Sequence, residues 1–147
     1  NTELNQPEDL CGKKVGTSRR TTWPAEIAAW SKENCEAKGK PAIVVSGSEG
    51  SADARAQLRQ GRLDAAMQGS ETLPYLMSQE KDTYKPLGVA ISKQFTGLGV
   101  SKSDPELAKA IAEAMQSMVD DGTYGKILKK WDLEHGAVSK IEMNQGK

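Results

Sequence analysis

Short apolar runs and amphipathic stretches alternate along the first half of the chain, and their order predicts the elements. Lys14 to Thr17 reads as a first strand, followed by a polar turn. From Trp23 the apolar positions Ile27 and Trp30 recur at helical spacing. A helix is expected from Thr22 to about Ala37, capped by the hydroxyl of Thr21 or Thr22, with Pro24 tolerated in its first turn and Lys38-Gly39-Lys40-Pro41 as its stop. Ala42 to Ser46 is a continuous β-branched run, the pattern of a strand buried on both faces. Gly47 to Gly50 reads as a loop, Ser51 as the cap of a helix ending at Gly61, and Leu63 to Gln68 as a third strand. Ser70 is placed as the cap of a short helix containing Leu73, Tyr75, Leu76 and Met77.

This β-α-β-α-β-α order predicts an α/β fold, a mostly parallel sheet with flanking helices. Tyr84 to Ile91 and Leu98 to Val100 read as further strands around a turn at Gln94 to Gly97. The pattern then becomes purely helical. Ser103 and Glu106 have capping-box spacing, and Leu107, Ile111, Met115 and Met118 line one face of a helix ended by Gly122. Tyr124, Ile127, Leu128 and Trp131 mark a second, shorter helix. The expected organisation is an arm at 1–9, an α/β lobe at 10–92, a crossing at 93–102, helices at 103–134 and a loosely held tail at 135–147.

Composition narrows the function. The chain has 147 residues, 37% of them hydrophobic, enough for a buried core. Its 20 Lys and Arg balance 20 Asp and Glu, and no basic run exceeds two residues, so a nucleic-acid partner is not expected. Cys11 and Cys35 sit at adjoining ends of one strand–helix unit, which predicts a disulfide and an oxidising compartment. Two Cys and one His without ligand spacing give no metal site, and no cofactor is expected. His135 reads as a surface residue, and Asp64 as a turn or edge residue rather than one of a catalytic pair.

In a parallel sheet, ligands sit beyond the carboxyl ends of the strands. Here that means the loops at 18–23, 47–50 and 68–71. The start of the first helix carries partial positive charge and backbone N–H groups, a seat for a carboxylate, although a capped helix that binds nothing has the same local pattern.

Four segments then stand in a telling order: Asp9-Leu10-Cys11-Gly12-Lys13-Lys14-Val15-Gly16, Thr21-Thr22, Gly61-Arg62-Leu63-Asp64-Ala65, and Asp121-Gly122-Thr123-Tyr124-Gly125-Lys126-Ile127-Leu128-Lys129-Lys130-Trp131. Together they resemble the extracellular solute-binding proteins of polar amino-acid ABC importers, with the two-lobed type II periplasmic-binding fold. The cysteine pair also matches a recurring pattern of that family. The resemblance implies a second lobe plus returning helices, the C-terminal part of a longer protein, located in the periplasm or secreted. It implies a small polar solute, an amino acid or derivative, and a membrane permease as partners.

Carried over by position, the implied ligand-binding residues are Thr21, Thr22 and Trp23 with Arg20 before them, and Gly69, Ser70 and Glu71. Thr22 matches the position that meets the ligand's α-carboxylate. Arg20 replaces a usual glycine. Gly69 replaces the usual aspartate that pairs with the α-ammonium, and Glu71 is its candidate substitute. The alternative implied by the same fold is an enzyme of the cyclohexadienyl dehydratase type, or an extracellular sensor module. The apolar stripe after Ser101 is expected to exchange with a second copy, giving a homodimer through residues 103–131.

Overall fold

The computed structural model describes residues 3–88 and 90–144. Three strands, β1 (Lys14–Ser18), β2 (Val44–Ser48) and β3 (Ala65–Ala66), form a parallel sheet in the order β2-β1-β3. Helix α1 (Trp23–Asn34) joins β1 to β2, and α2 (Ser51–Arg59) joins β2 to β3. The register pairs Val15 with Val45 and Ala65, and Gly16 with Ser46 and Ala66. Although β3 is short, Asp64 N–H donates to the Lys14 carbonyl and Met67 N–H to that of Gly16, so pairing continues at both ends. The expected α/β class with a parallel sheet is what forms.

Right-handed crossovers place α1 and α2 on opposite faces of such a sheet, because β2 and β3 flank β1 on opposite sides. The buried residues divide accordingly. Val15, Ile27, Cys35 and Ile43 form one cluster with Leu4 and Leu10. On the other face, Gly16 leaves room for Leu63, whose side chain occupies the space a Cβ at position 16 would need. The strand buried on both faces is thus β1, not the β-branched run. Val44 is 52% exposed because β2 lies at the sheet edge, and it begins two residues later than expected, with Gly47 and Ser48 inside it.

The cysteines form the expected disulfide, with Cα atoms 5.5 Å apart. It joins the residue that follows a 3-10 turn (Pro7–Leu10) to the end of α1, which closes with a second 3-10 turn (Glu36–Lys38) and Gly39 at φ +70°. Within the expected arm at 1–9, Leu4 and Pro7 are buried. Asp64 has the predicted edge role: its carboxylate accepts from Lys14 N–H at 2.8 Å.

Several caps differ from expectation. Gly50 precedes α2 in place of a Ser51 cap, and Ser70 opens a 3-10 turn (Ser70–Thr72) ahead of α3 (Leu73–Gln79). The strands expected at 84–91 and 98–100 do not form among the described residues; Val89 lies outside them. Pro86 supplies no N–H, and Gly88 turns to φ +67° above Pro7, which breaks an extended run. Leu87 and Ile91 pack against the α1-side core all the same. Leu98 is 67% exposed.

The chain divides into two compact units. One comprises Asn1–Leu73 and Glu80–Lys93, and the other Pro74–Gln79 and Gln94–Lys147. In the second, α4 (Pro105–Asp120) packs on α5 (Thr123–Lys130). The cap of α4 is Asp104, whose carboxylate accepts from Leu107 N–H at 3.0 Å, with Pro105 at the first helical position; Ser103 instead shares a hydrogen bond with the Ser101 hydroxyl. The segment after α5 is held more firmly than expected. Val138 N–H donates to the Tyr124 hydroxyl and Ile141 N–H to Gln116.

Candidate functional site

Strand order reverses between β1 and β3, and the crevice outside their carboxyl ends is the place where such sheets take ligands. The Thr17 hydroxyl crosses this point, donating to the Met67 carbonyl at 3.1 Å. The loops after β1, β2 and β3 leave the same sheet edge, bringing the region of Arg20 to Trp23, Glu49 and the region of Gly69 to Glu71 to one side of the molecule's sheet unit.

The loop after β1 is a tight turn. Thr21 donates its N–H and its hydroxyl to the Ser18 carbonyl, the latter at 2.8 Å, and its hydroxyl oxygen accepts from Trp23 N–H. The Thr22 carbonyl takes both Ala25 and Glu26 N–H. Thr22 precedes α1 without capping it by side chain; its hydroxyl donates to Glu26. The Thr21 and Thr22 hydroxyls and the Trp23 N–H, which would face an anion at this helix start, are therefore already engaged with groups of the protein. An incoming carboxylate must displace them, with the positive end of α1 in its favour.

The rim is charged. Arg19 pairs with Glu49, and Arg20 lies 3.7 Å from the same carboxylate, with most of its side chain in water. Both pairs are exposed, so their contribution to stability is small. After β3, the Gln68 side chain accepts from Arg55 and donates to Thr72, whose hydroxyl donates to the Gly69 carbonyl. Ser70 and Glu71 are exposed. The Glu71 carboxylate folds back over Gly69 and fills the space where a side chain at position 69 would begin. Glycine permits that approach. A carboxylate thus stands directly over position 69 although the residue itself has none.

Sequence reasoning missed two residues beside Thr22. Glu26 lies four residues on, at helical spacing that makes the contact legible in retrospect. Ser92, which donates to the other oxygen of Glu26, comes from far along the chain and gives no local signal. His135 sits exposed in a 3-10 turn (Glu134–Gly136). An open depression of about 520 Å³ lined by Glu113, Gln116, Ser117, Asp120 and Asp121 runs along α4 and includes none of the predicted site residues.

The chain as a whole is similar to known proteins. The arginine-binding protein ArgT of Corynebacterium glutamicum is 27% identical over 140 residues, 95% of this chain and 45% of that protein. The histidine-binding periplasmic protein of Escherichia coli is 33% identical over 131 residues, 84% of this chain and 48% of that protein. Among solved structures, an ancestral arginine-binding protein bound to arginine superposes with a TM-score of 0.67 at 30% identity, covering 89% of this chain and 55% of the other. The chain spans about half the length of the curated relatives it matches. Residues 32–134 match one family throughout, from within α1 to the turn after α5. With its parallel sheet, its β1–β3 crevice and that match, the chain belongs to the bacterial extracellular solute-binding proteins, family 3.

Proposed function

We propose that the chain forms a solute-binding lobe, with the helices that follow it, of an exported component of an ABC importer for amino acids or related small polar solutes. The observation that carries this reading is the convergence of the loops after β1 and β3, with the start of α1 between them, at the point where strand order reverses. The relatives named for arginine and histidine support an amino acid as the solute. The disulfide fits an oxidising compartment, the periplasm or the cell exterior. A membrane permease is the implied partner. The relatives are named for what they bind rather than for a reaction, which favours binding over a dehydratase or a sensor.

In this reading the backbone at Thr22 and Trp23, with the Thr21 and Thr22 hydroxyls, meets the solute's α-carboxylate at the positive end of α1. Glu71, folded over Gly69, takes the α-ammonium. Ser70 adds a hydroxyl at the same turn, and Arg20 sets the charge of the rim. A single sheet edge covers one side of a ligand, whereas tight sites bury most of it, so affinity of about millimolar order is expected. Amide NMR spectra with L-arginine, L-histidine and L-cystine test this. At least one should move the Thr22, Trp23 and Glu71 resonances, and Glu71→Ala should weaken the response. Unmoved resonances with all three overturn the reading.

The exposed apolar residues of the helical unit, Leu107, Ile127 and Trp131, support a homodimer through residues 103–131. Light scattering at high micromolar concentration should give twice the 15.9 kDa chain mass. Leu107→Asp with Ile111→Asp should return the monomer, and a monomeric parent chain overturns the dimer.

A further inference from the structure

We propose that Glu26 is a positioning residue that competes with the solute for the Thr22 hydroxyl and links that loop to the segment by which the chain leaves the sheet unit. This rests on the solute site proposed above. Glu26 lies in the first turn of α1. One of its carboxylate oxygens accepts from the Thr22 hydroxyl and the other from the Ser92 hydroxyl, each at 2.5 Å. Ser92 stands next to Lys93, where the sheet unit ends.

A hydroxyl has one hydrogen, and a carboxylate can only accept. Thr22 therefore cannot donate to a solute carboxylate while it donates to Glu26. When the solute takes that hydrogen, two carboxylates face the same loop, and like charge opposes binding. The Ser92 hydroxyl offsets part of this by continuing to donate to Glu26. Two substitutions away from the solute should thus act in opposite directions. Glu26→Gln removes the competing charge and should tighten carboxylate binding several-fold. Ser92→Ala removes a donor from Glu26, which then holds Thr22 harder, and should weaken binding several-fold.

The test has two arms. Without solute, urea midpoints are measured in a Trp131→Phe chain, so that Trp23 and Trp30 report the sheet unit. Thr22→Val, Ser92→Ala and their double variant should be non-additive with Glu26 in place and additive with Glu26→Ala. Additivity in both chains overturns the link. In the second arm L-arginine is titrated calorimetrically into the parent, Glu26→Gln and Ser92→Ala chains. Affinity changes of opposite sign support the competition; changes of the same sign, or none, overturn it. No heat with any of the three chains overturns the solute reading and the competition with it, and the midpoints alone then decide the link.

Discussion

Ile27 in α1 and Leu107 in α4 both lie on the apolar side of a helix, yet Ile27 is fully buried and Leu107 is 47% exposed. The contrast runs through the two units. The fully buried side chains, among them Val15, Thr17, Cys35 and Ser48, lie in the sheet unit, and no residue of α4 or α5 is buried. Amphipathic pattern does not explain this, because α4 has the cleaner stripe, with Leu107, Ile111, Met115 and Met118 in helical register. What differs is the opposing layer. A helix facing a sheet meets a continuous apolar surface, whereas two short helices facing each other leave part of each stripe in water. Within its own unit, Trp131 meets the edge of Tyr75, their rings 6.1 Å apart, and the Lys130 ammonium at 5.8 Å.

The contrast is broken most directly by paired substitutions. Ile27→Ala should lower stability by about 2–5 kcal/mol, since it removes buried methyl groups and leaves a cavity. Leu107→Ala should cost about 1 kcal/mol or less, because half of that side chain is already wet. Urea midpoints followed by tryptophan fluorescence measure both. Equal losses would mean that a partner covers Leu107 in solution, which would sharpen the case for the homodimer.

Reducing the disulfide should come next, at about 3 kcal/mol in the chain-entropy account, and only in the sheet unit. Hydrogen exchange with and without dithiothreitol should show faster exchange in β1 and α1 and no change in α4 and α5. Uniform acceleration would mean that the units unfold together.

The smallest effect compares one carboxylate in each unit. The Asp9 pKa is lowered by hydrogen bonds from the Asn5 and Gln6 backbone, and the Asp121 pKa by hydrogen bonds from the Thr123 side chain and backbone. Both folded values lie below the unfolded one. Their stabilisation is therefore present above the ordinary carboxylate range and is lost as pH falls through the lowered values. Carboxyl NMR titrations should give midpoints below the usual aspartate value at both sites. Asp9→Asn and Asp121→Asn should each flatten the acid side of the stability profile, and unaltered profiles would remove these contacts from the account.

Local pattern alone determined the alternation of strands and helices, the parallel class, the disulfide, the edge role of Asp64 and the two C-terminal helices. These are set by periodicity, by Gly and Pro punctuation and by nearest connections, all of which lie within a short stretch of chain. Tertiary structure decided the rest. The β-branched run at 42–46 read as a strand buried on both faces, but β1 is the strand with neighbours on both sides, because strand order is a property of the whole sheet. Pro86 and the Gly88 turn removed a strand that hydrophobicity alone suggested. Residues 1–9 read as polar, yet Leu4 joins the core beside the disulfide. At the candidate site, Thr21, Thr22, Gly69 and Glu71 were legible as positions. Where their hydrogens go was not. Helical spacing points to Glu26 beside Thr22, but Ser92, which donates to Glu26, comes from far along the chain, and Glu71 stands over Gly69 only because glycine leaves the space. Hydrogen-bond partners distant in sequence are chosen by the fold that brings them together, and no local periodicity carries that choice.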